Sequence, residues 1–358
     1  MGGGCAAVIC NTVSRTQRVY QAIQDAAIVP EPDLTLFHAR FPFAWRDQIE
    51  QRVLDDFGKE GQRPHKAILV ATQVIEQSLD LDFDLMISDL APVDLILQRA
   101  GRLHRHDRDR RPTPLAAPRL VLAQPAGQDG LPDFENDAWI YEPYVLLRSY
   151  LALRGRTRLT LPSETKQLID AVYGKESDLH ADEMPPAFGA ALEQARAEMD
   201  KNRHKEHDEA RQRLVAAPDN RRLMHISEAF LEEDRPELHR FLQALTRLIP
   251  PTISLVCLHR TDGGLTLEPD GSGLAIDLGH YPTPEATEQL ARHTVSVSHR
   301  GVVHYFLERP VPKGWHDHPL LRDHREAVFM NGICDLEGTS YTLRLSRELG
   351  LEIVKEGI

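Results

Sequence analysis

Residues 98–105 read Gln98-Arg99-Ala100-Gly101-Arg102-Leu103-His104-Arg105, with the arginines three apart. On a helix, positions three apart share a face. Arg99, Arg102 and Arg105 are therefore expected as one stripe of guanidinium groups, with Gln98 beside it. Like charges in a stripe repel. They gain by facing phosphate, whose oxygens the planar guanidinium fork binds in pairs. An arginine aimed at a transferring γ-phosphate can be worth ~10³–10⁵ in rate. Gly101 would let a partner approach closely. A solvated basic helix end is the other reading that the spacing leaves open.

A second cluster lies upstream, in Val70-Ala71-Thr72-Gln73-Val74-Ile75-Glu76-Gln77-Ser78-Leu79-Asp80. An apolar run ends in a turn that carries hydroxyl, amide and carboxylate groups. At the carboxyl end of a strand such positions meet ligands. The hydroxyls and turn amides could hold a nucleic-acid phosphate, and Asp80 could orient a ribose or bridge to the arginines. The same turn could equally just cap a helix.

The chain lacks two features that would complete such a site. No GxxxxGK[S/T] is present, since Gly58-Lys59 and Gly174-Lys175 lack both the upstream glycine and the following hydroxyl. No Asp-Glu pair closes a strand to hold Mg²⁺. An arginine stripe without a phosphate cradle is half of an active site, and it is expected to close against another domain. A metal-hydrolase reading could rest on His316-Asp317-His318 with His324, or on the His-Asp pairs at 106–107 and 207–208. No expected element brings these together, and histidine is plentiful at 17 residues, so no metal site is expected. His104 and His106 are read as supporting the arginines.

The elements that must position these groups follow from periodicity. Short apolar runs at Cys5–Thr12, Leu34–Phe41, Ala67–Thr72, Asp84–Leu90 and Arg119–Gln124 read as strands. Between them, helices are expected from a capping box at Ser14–Gln17 to about Ala26, over Trp45–Phe57 with Gly58 as its stop, and over Val93–Leu103. This alternation means βαβ units and a mostly parallel sheet with helices on both faces. The Pro- and Gly-rich stretch 107–135 reads as a domain edge. Glu142–Leu153, Glu164–Tyr173 and Ala187–Leu214 read as helices, the last a solvated one laced with i,i+4 pairs. From Thr252 onward TISLVCLHR, TVSVSH, VVHYFLE, AVFMNGI and SYTLRLS read as short strands of a small α+β or β-rich domain.

Composition sets the outer bounds. The 358 residues favour more than one domain, and 41% hydrophobic residues suffice for ordinary cores. No apolar run is long enough to span a membrane. Met1-Gly2-Gly3-Gly4 carries no signal-peptide features, so a cytoplasmic location is expected. Cys5, Cys10, Cys257 and Cys334 form no CxxC and read as reduced structural thiols. A net charge of −12 argues against a generally basic nucleic-acid surface. Six arginines and two histidines between Arg99 and Arg111 are the local exception.

The block VATQVIEQSLDLDFDLMISDLAPVDLILQRAGRLHRH resembles motifs V and VI of the Cas3 helicase-nucleases of type I CRISPR systems, within helicase superfamily 2. Ile9–Val13 resembles the family's motif IV, Leu36–Phe41 its following strand-end motif, and SYTLRLSRELGLEIV, more weakly, its C-terminal domain. The resemblance implies a RecA-like parallel sheet with flanking helices over 1–125, a helical linker over 126–250 and a small α+β C-terminal domain over 251–358. It implies Arg102 as an arginine finger, with Arg99 and Arg105 lending phosphate contacts and Gln98 sensing the γ-phosphate or its attacking water. Asp80 would lie near the ribose. Thr72, Gln73, Gln77 and Ser78 would couple DNA to the ATP cleft, and Thr12 and Arg40 would contact the DNA backbone. ATP and Mg²⁺ would be shared with a P-loop RecA-like domain which, like the HD nuclease domain, is absent from this sequence. The implied partners are single-stranded DNA, those P-loop and HD portions, and a CRISPR surveillance complex. Alone, the chain is expected to be inactive as an ATPase. A DNA-binding or truncated remnant is the alternative.

Overall fold

A computed structural model describes residues 3–76, 79–108, 111–125, 127, 131–174, 186–212 and 251–355. Strand β1 (Gly4–Ile9) buries Cys5, Ala7 and Ile9 on one face. Helix α1 (Val13–Asp25), β2 (Leu34–Phe37), α2 (Phe43–Phe57), β3 (Lys66–Ala71), β4 (Leu85–Asp89), α3 (Val93–Ala100) and β5 (Arg119–Ala123) follow. The five strands form one parallel sheet in the order β2-β3-β1-β4-β5. Because the strands are parallel, the carboxyl ends of β1, β3 and β4 lie at one edge of the sheet, and the opposed crossovers from β1 to β2 and from β3 to β4 leave a crevice there.

Three expectations are corrected. Helix α1 starts at Thr12, whose Oγ1 accepts the Arg15 amide at 3.2 Å, and not at a Ser14–Gln17 box. Gln17 is instead buried, and its Nε2 donates to the Leu349 and Leu351 carbonyls at 2.8 and 3.3 Å. Helix α3 stops at Ala100, three residues short of the expected Leu103. Beyond it Phe83 takes over the backbone, donating to Arg102 O at 3.0 Å and accepting from the His104 amide at 3.1 Å. His104 turns to φ +48°, a left-handed conformation that ends any helix. The third correction concerns VVHYFLE, discussed below.

Helices α4 (Pro143–Leu153), α5 (Thr165–Tyr173) and α6 (Pro186–Gln212) come next. Leu153, Leu168 and Val172 from α4 and α5 pack with Val93 and Ile96 of α3. Along α6, Phe188, Leu192 and Met199 recur at helical spacing against Tyr144 and Leu147 of α4. Its solvent side carries the i,i+4 pairs Arg196–Asp200 and Lys205–Glu209.

The C-terminal part holds β6 (Ile253–Thr261), β7 (Gly264–Thr266), β8 (Ala275–Ile276), α7 (Pro284–Arg292), β9 (Thr294–Val297), α8 (Arg300–Leu307), β10 (His324–Phe329), β11 (Ile333–Asp335), β12 (Tyr341–Ser346) and β13 (Gly350–Lys355). One sheet runs β10-β6-β7-β8 with β9 also on β6, and a second runs β11-β12-β13. VVHYFLE is not a strand but α8. Val302, Val303 and Phe306 form its buried face, an i, i+1, i+4 pattern that β-branched and aromatic residues disguised as strand propensity.

One core is shared by the first sheet and the last hundred residues. A single apolar cluster takes Tyr20, Leu36, Phe41, Trp45 and Val70 from the first sheet and its helices, and Leu255, Val302, Phe306, Leu343 and Leu351 from the last hundred residues.

Candidate motor site at the carboxyl edge of the parallel sheet

The site is built around a buried arginine. Arg99 has no exposed surface. Its Nε donates to Glu76 Oε1 at 2.7 Å, and Nη2 lies 2.7 Å from the same oxygen. Nη1 donates to Ser88 Oγ at 2.7 Å and to Asp89 O at 3.2 Å. Nη2 also reaches Asn11 Oδ1 at 3.4 Å and Tyr141 Oη at 3.5 Å. This one side chain therefore joins the carboxyl ends of β1 and β4 to the turn after β3. Its donors are engaged within the chain, and they tie the strand ends of the site together.

Arg102 lies past the helix end and is nearly buried, with 6% exposed. Its Nε donates to Ile75 O at 2.8 Å and its Nη2 to Glu76 O. Burial, then the charge of Arg105, lowers its pKa. Arg105 is exposed and pairs through Nε with Asp80 Oδ1 at 2.6 Å. His106 Nε2 lies 3.3 Å from the same oxygen. The expected three-arginine stripe is thus divided. Arg99 faces inward on α3, Arg102 rides under the 73–76 turn, and Arg105 points to solvent beside Asp80. Gln98, on α3, is exposed, whereas Arg99 beside it in sequence is buried.

The rest of the arginine-rich run goes elsewhere. Arg111 pairs with Asp82 at 3.0 Å and Asp84 at 2.5 Å, Arg108 with Asp82 at 3.2 Å, and Arg63 with both. These carboxylates precede β4, at the opposite end of the strand from Asp89. Burial alone would raise the Asp84 pKa, but the Cys5 amide, Arg63 and Arg111 together hold it below the usual carboxylate value. Arg108 and Arg111 are therefore anchors for the chain that leaves Arg105, and the basic cluster is not a continuous nucleic-acid track.

Of the remaining expected residues, Thr72 is buried and its amide donates to Phe37 O at 3.2 Å. Gln73 Nε2 donates to Asn11 O at 3.0 Å and to Tyr141 Oη at 2.8 Å. Thr12 caps α1. Arg40 sits in the loop after β2, where its carbonyl accepts the Leu351 amide at 2.7 Å. Gln77 and Ser78 lie outside the described residues. Among the described residues no group of three or more His, Cys, Asp or Glu is placed to hold a metal ion. His318, which the metal reading required, turns inward, with Nε2 at 3.1 Å from Thr287 Oγ1 and Nδ1 accepting the Leu320 amide at 3.2 Å.

Sequence reasoning placed Asn11 only within the motif-like run Ile9–Val13, without a contact of its own, and missed Asp137 and Tyr141. The Asn11 amide donates to Asp89 Oδ2 at 2.9 Å, and its Nδ2 donates to Leu90 O at 2.7 Å and Asp137 Oδ2 at 2.9 Å. Asp137 and Tyr141 belong to a segment that folds back over the site from 42 residues away in the case of Arg99 and Tyr141, and 126 in the case of Asn11 and Asp137, and no local spacing announces that.

Two family models match this chain. One, described as CRISPR-associated nuclease/helicase Cas3, C-terminal, covers residues 2–108, and the other, the Cas3 C-terminal domain, covers 247–351. A Thermus thermophilus CRISPR-associated endonuclease/helicase Cas3 is 38% identical over 328 residues, 88% of this chain and 34% of the relative. The chain belongs to the Cas3 family. It corresponds to the C-terminal part and spans about a third of the length of that relative. A structure titled as a CRISPR-associated protein superposes with TM-score 0.87 at 40% identity, covering 99% of this chain and 38% of that one. Coverage is similar for a structure titled T. fusca Cas3-AMPPNP, with TM-score 0.76, 30% identity, and 98% and 39% of the two chains. A chain of a CRISPR RNA-guided surveillance complex, pre-nicking, matches with TM-score 0.67 at 28% identity, covering 97% of this chain and 40% of that one. The first Cas3 model ends at residue 108, just past Arg105, and so includes the whole of the site's arginine constellation up to its anchor at Arg108. No described helix is long and apolar enough to cross a membrane.

Proposed function

We propose that this part of Cas3 is the second lobe of an ATP-driven motor on single-stranded DNA, and that Arg102 and Arg105 are the groups it presents to the nucleotide. The observation that carries this reading is the Arg99 tie. A guanidinium out of water joins β1, β4 and the 73–76 turn, and the segment it fixes delivers two further arginines to the rim of the sheet. Fully satisfied buried polar networks of this kind rigidify a site and specify one arrangement.

The residues divide the work. Arg102 retains donors beyond its two carbonyl bonds, and its burial makes the cation costly until an anion faces it. Arg105 is held by an exposed carboxylate, a weak tie in water, so that it can exchange Asp80 for phosphate. ATP, when bound, supplies the free energy of hydrolysis. With no GxxxxGK[S/T] in these residues, its β- and γ-phosphates and Mg²⁺ would be held by a P-loop lobe. The T. fusca structure with AMPPNP supports nucleotide as the family's ligand. Thr12, Thr72 and Gln73, on the loops after β1 and β3, would lie toward the DNA. The surveillance complex structure that contains a similar chain supports recruitment by such a complex.

The test is DNA-stimulated ATP hydrolysis by a polypeptide that joins this chain to a P-loop lobe. Arg102→Ala should abolish turnover while leaving nucleotide binding measurable. Unchanged turnover in the variant would remove the assignment, and no turnover in the unmodified joined polypeptide would favour a DNA-binding remnant.

A further inference from the structure

Residues 109–246 lie between the stretches that the two Cas3 models match, and part of them braces the arginine helix. At the amino end of α3, Ser149 Oγ of α4 accepts the Val93 amide at 3.0 Å. Tyr173 Oη, at the end of α5, donates to Asp94 Oδ1 at 2.5 Å. Near the carboxyl end of α3, Tyr141 Oη lies 3.5 Å from Arg99 Nη2. The same oxygen accepts Gln73 Nε2 at 2.8 Å. One atom of this segment therefore reaches both the turn after β3 and the buried arginine of α3.

Tyr141 is itself held in place. It follows the short helical turn Glu135–Trp139, and its amide donates to Asp137 O at 2.9 Å. The Asp137 carboxylate accepts Asn11 Nδ2 at 2.9 Å and lies 3.7 Å from Arg15 Nη1. Gln73 has two amide protons, and both are used, one on Tyr141 Oη and one on Asn11 O at 3.0 Å. The 73–76 turn grips Arg99 at two points. Glu76 holds it directly at 2.7 Å, and Gln73 holds it through the tyrosine oxygen. A turn held at one point can pivot about that contact. Held at two, its rotation is carried into the guanidinium.

We infer that Tyr141 is a positioning residue of the motor, whose hydroxyl carries movement of the 73–76 turn to Arg99 and so to the segment that bears Arg102 and Arg105. The inference rests on the reading that Gln73 lies toward DNA and that Arg102 and Arg105 lie toward the nucleotide. It adds that the link between the two runs through a segment outside both matched stretches. Tyr141 touches neither ligand in this role. A hydroxyl oxygen can accept from two donors at once, and a phenyl ring in its place accepts from neither. Lying between two groups does not by itself make a coupling path, so the decisive measurement is a double-variant cycle.

The experiment uses the polypeptide that joins this chain to a P-loop lobe, with ATP turnover measured without DNA and across a dT20 titration. The readout is the ratio of the DNA-saturated rate to the DNA-free rate. Loss of folded protein lowers both rates and leaves their ratio alone. Tyr141→Phe keeps the ring and removes the oxygen. It should lower the ratio about three- to tenfold, the range that one hydrogen bond between uncharged groups sets, at an unchanged half-saturating dT20 concentration. Gln73→Met should lower the ratio as well, and Tyr141→Phe added to it should cost under about twofold more. A full, additive loss in the double variant overturns transmission through Gln73. A preserved maximum ratio with a raised half-saturating dT20 concentration also overturns the proposal, because it makes Tyr141 a DNA contact. If the parent is stimulated and Tyr141→Phe matches it, the bridge is wrong and the motor reading stands. A parent with no DNA-stimulated turnover overturns the motor reading and the coupling with it.

Discussion

Arg99 and Glu76 meet 2.7 Å apart with both side chains removed from water, 23 residues distant in sequence. The pair closes the turn after β3 against the last turn of α3. Removing one partner would strand the other charge in the interior, which costs about 3–5 kcal/mol. Arg99→Ala should therefore lower the stability of the chain by that amount in urea unfolding. Arg99→Met combined with Glu76→Leu should recover much of the loss, because no uncompensated charge remains. A single variant as stable as the parent would mean that water reaches the pair.

Arg102 calls for a different signature. In a polypeptide that includes a P-loop lobe, Arg102→Ala should reduce ATP turnover by about 10³-fold or more, with little change in stability. Arg102→Lys should fail almost as badly, since an ammonium cannot make the paired contacts of a guanidinium. Residues 1–358 alone should show no DNA-stimulated ATPase. Robust hydrolysis by the purified chain would contradict this.

Gly350 adopts φ +67°, and a Cβ there would lie 2.7 Å from Arg40 O, 2.9 Å from His38 Cε1 and 3.1 Å from Phe41 Cδ1. Gly350→Ala should cost about 1–3 kcal/mol from backbone conformation alone, with more from the clash. The expected result is a clear fall in melting temperature. Gly155 and Gly338 also have positive φ but open space where a Cβ would go, so alanine at either should be milder.

His38 is fully buried, and desolvation brings its pKa down from 6.5 to about 3, despite the Leu349 carbonyl at 3.1 Å. The unfolded chain binds this proton near 6.5, so between 6.5 and 3 the unfolded state holds more protons. Stability should then rise with pH through that window. The His38 contribution is complete above 6.5 and is lost as pH falls toward 3. Asp84, whose pKa is lowered, acts in the same direction below the ordinary carboxylate value. Urea unfolding between pH 7 and 5 should show the slope, and His38→Gln should flatten it. An equal slope in both proteins would assign the effect to other groups.

The alternation of period-2 and period-3.6 patterns made the parallel sheet legible, because each βαβ unit buries its own apolar stripe locally. The turn at Thr72–Asp80 and the arginines at 99, 102 and 105 were legible as types. Their arrangement was not. Whether α3 continues past Gly101 depends on Phe83, which captures the Arg102 and His104 backbone, and Phe83 is invisible to a helical-wheel argument. The anchoring of Arg108 and Arg111 on Asp82 and Asp84 likewise depends on where the start of β4 lies in space. In the C-terminal part, α8 was misread because Val302, Val303 and Phe306 satisfy helix periodicity with strand-favouring residues. Sequence pattern located the residue types, while long-range closure decided which arginines are tied down inside the chain.

The common apolar core of the first sheet and the last hundred residues has a consequence for how this lobe can be taken apart. A cut placed in residues 213–250 would leave Phe41, Trp45 and Leu36 uncovered on one product and Val302, Phe306 and Leu351 on the other. Neither greasy face could be hidden without the other, so the products should co-purify as a complex or aggregate singly. The C-terminal part is thus no interchangeable accessory, because its apolar face is fitted to this one sheet and its helices. Any force it receives is delivered, through the β12–β13 tip at Leu349–Leu351, straight into the loop that carries His38 and Arg40.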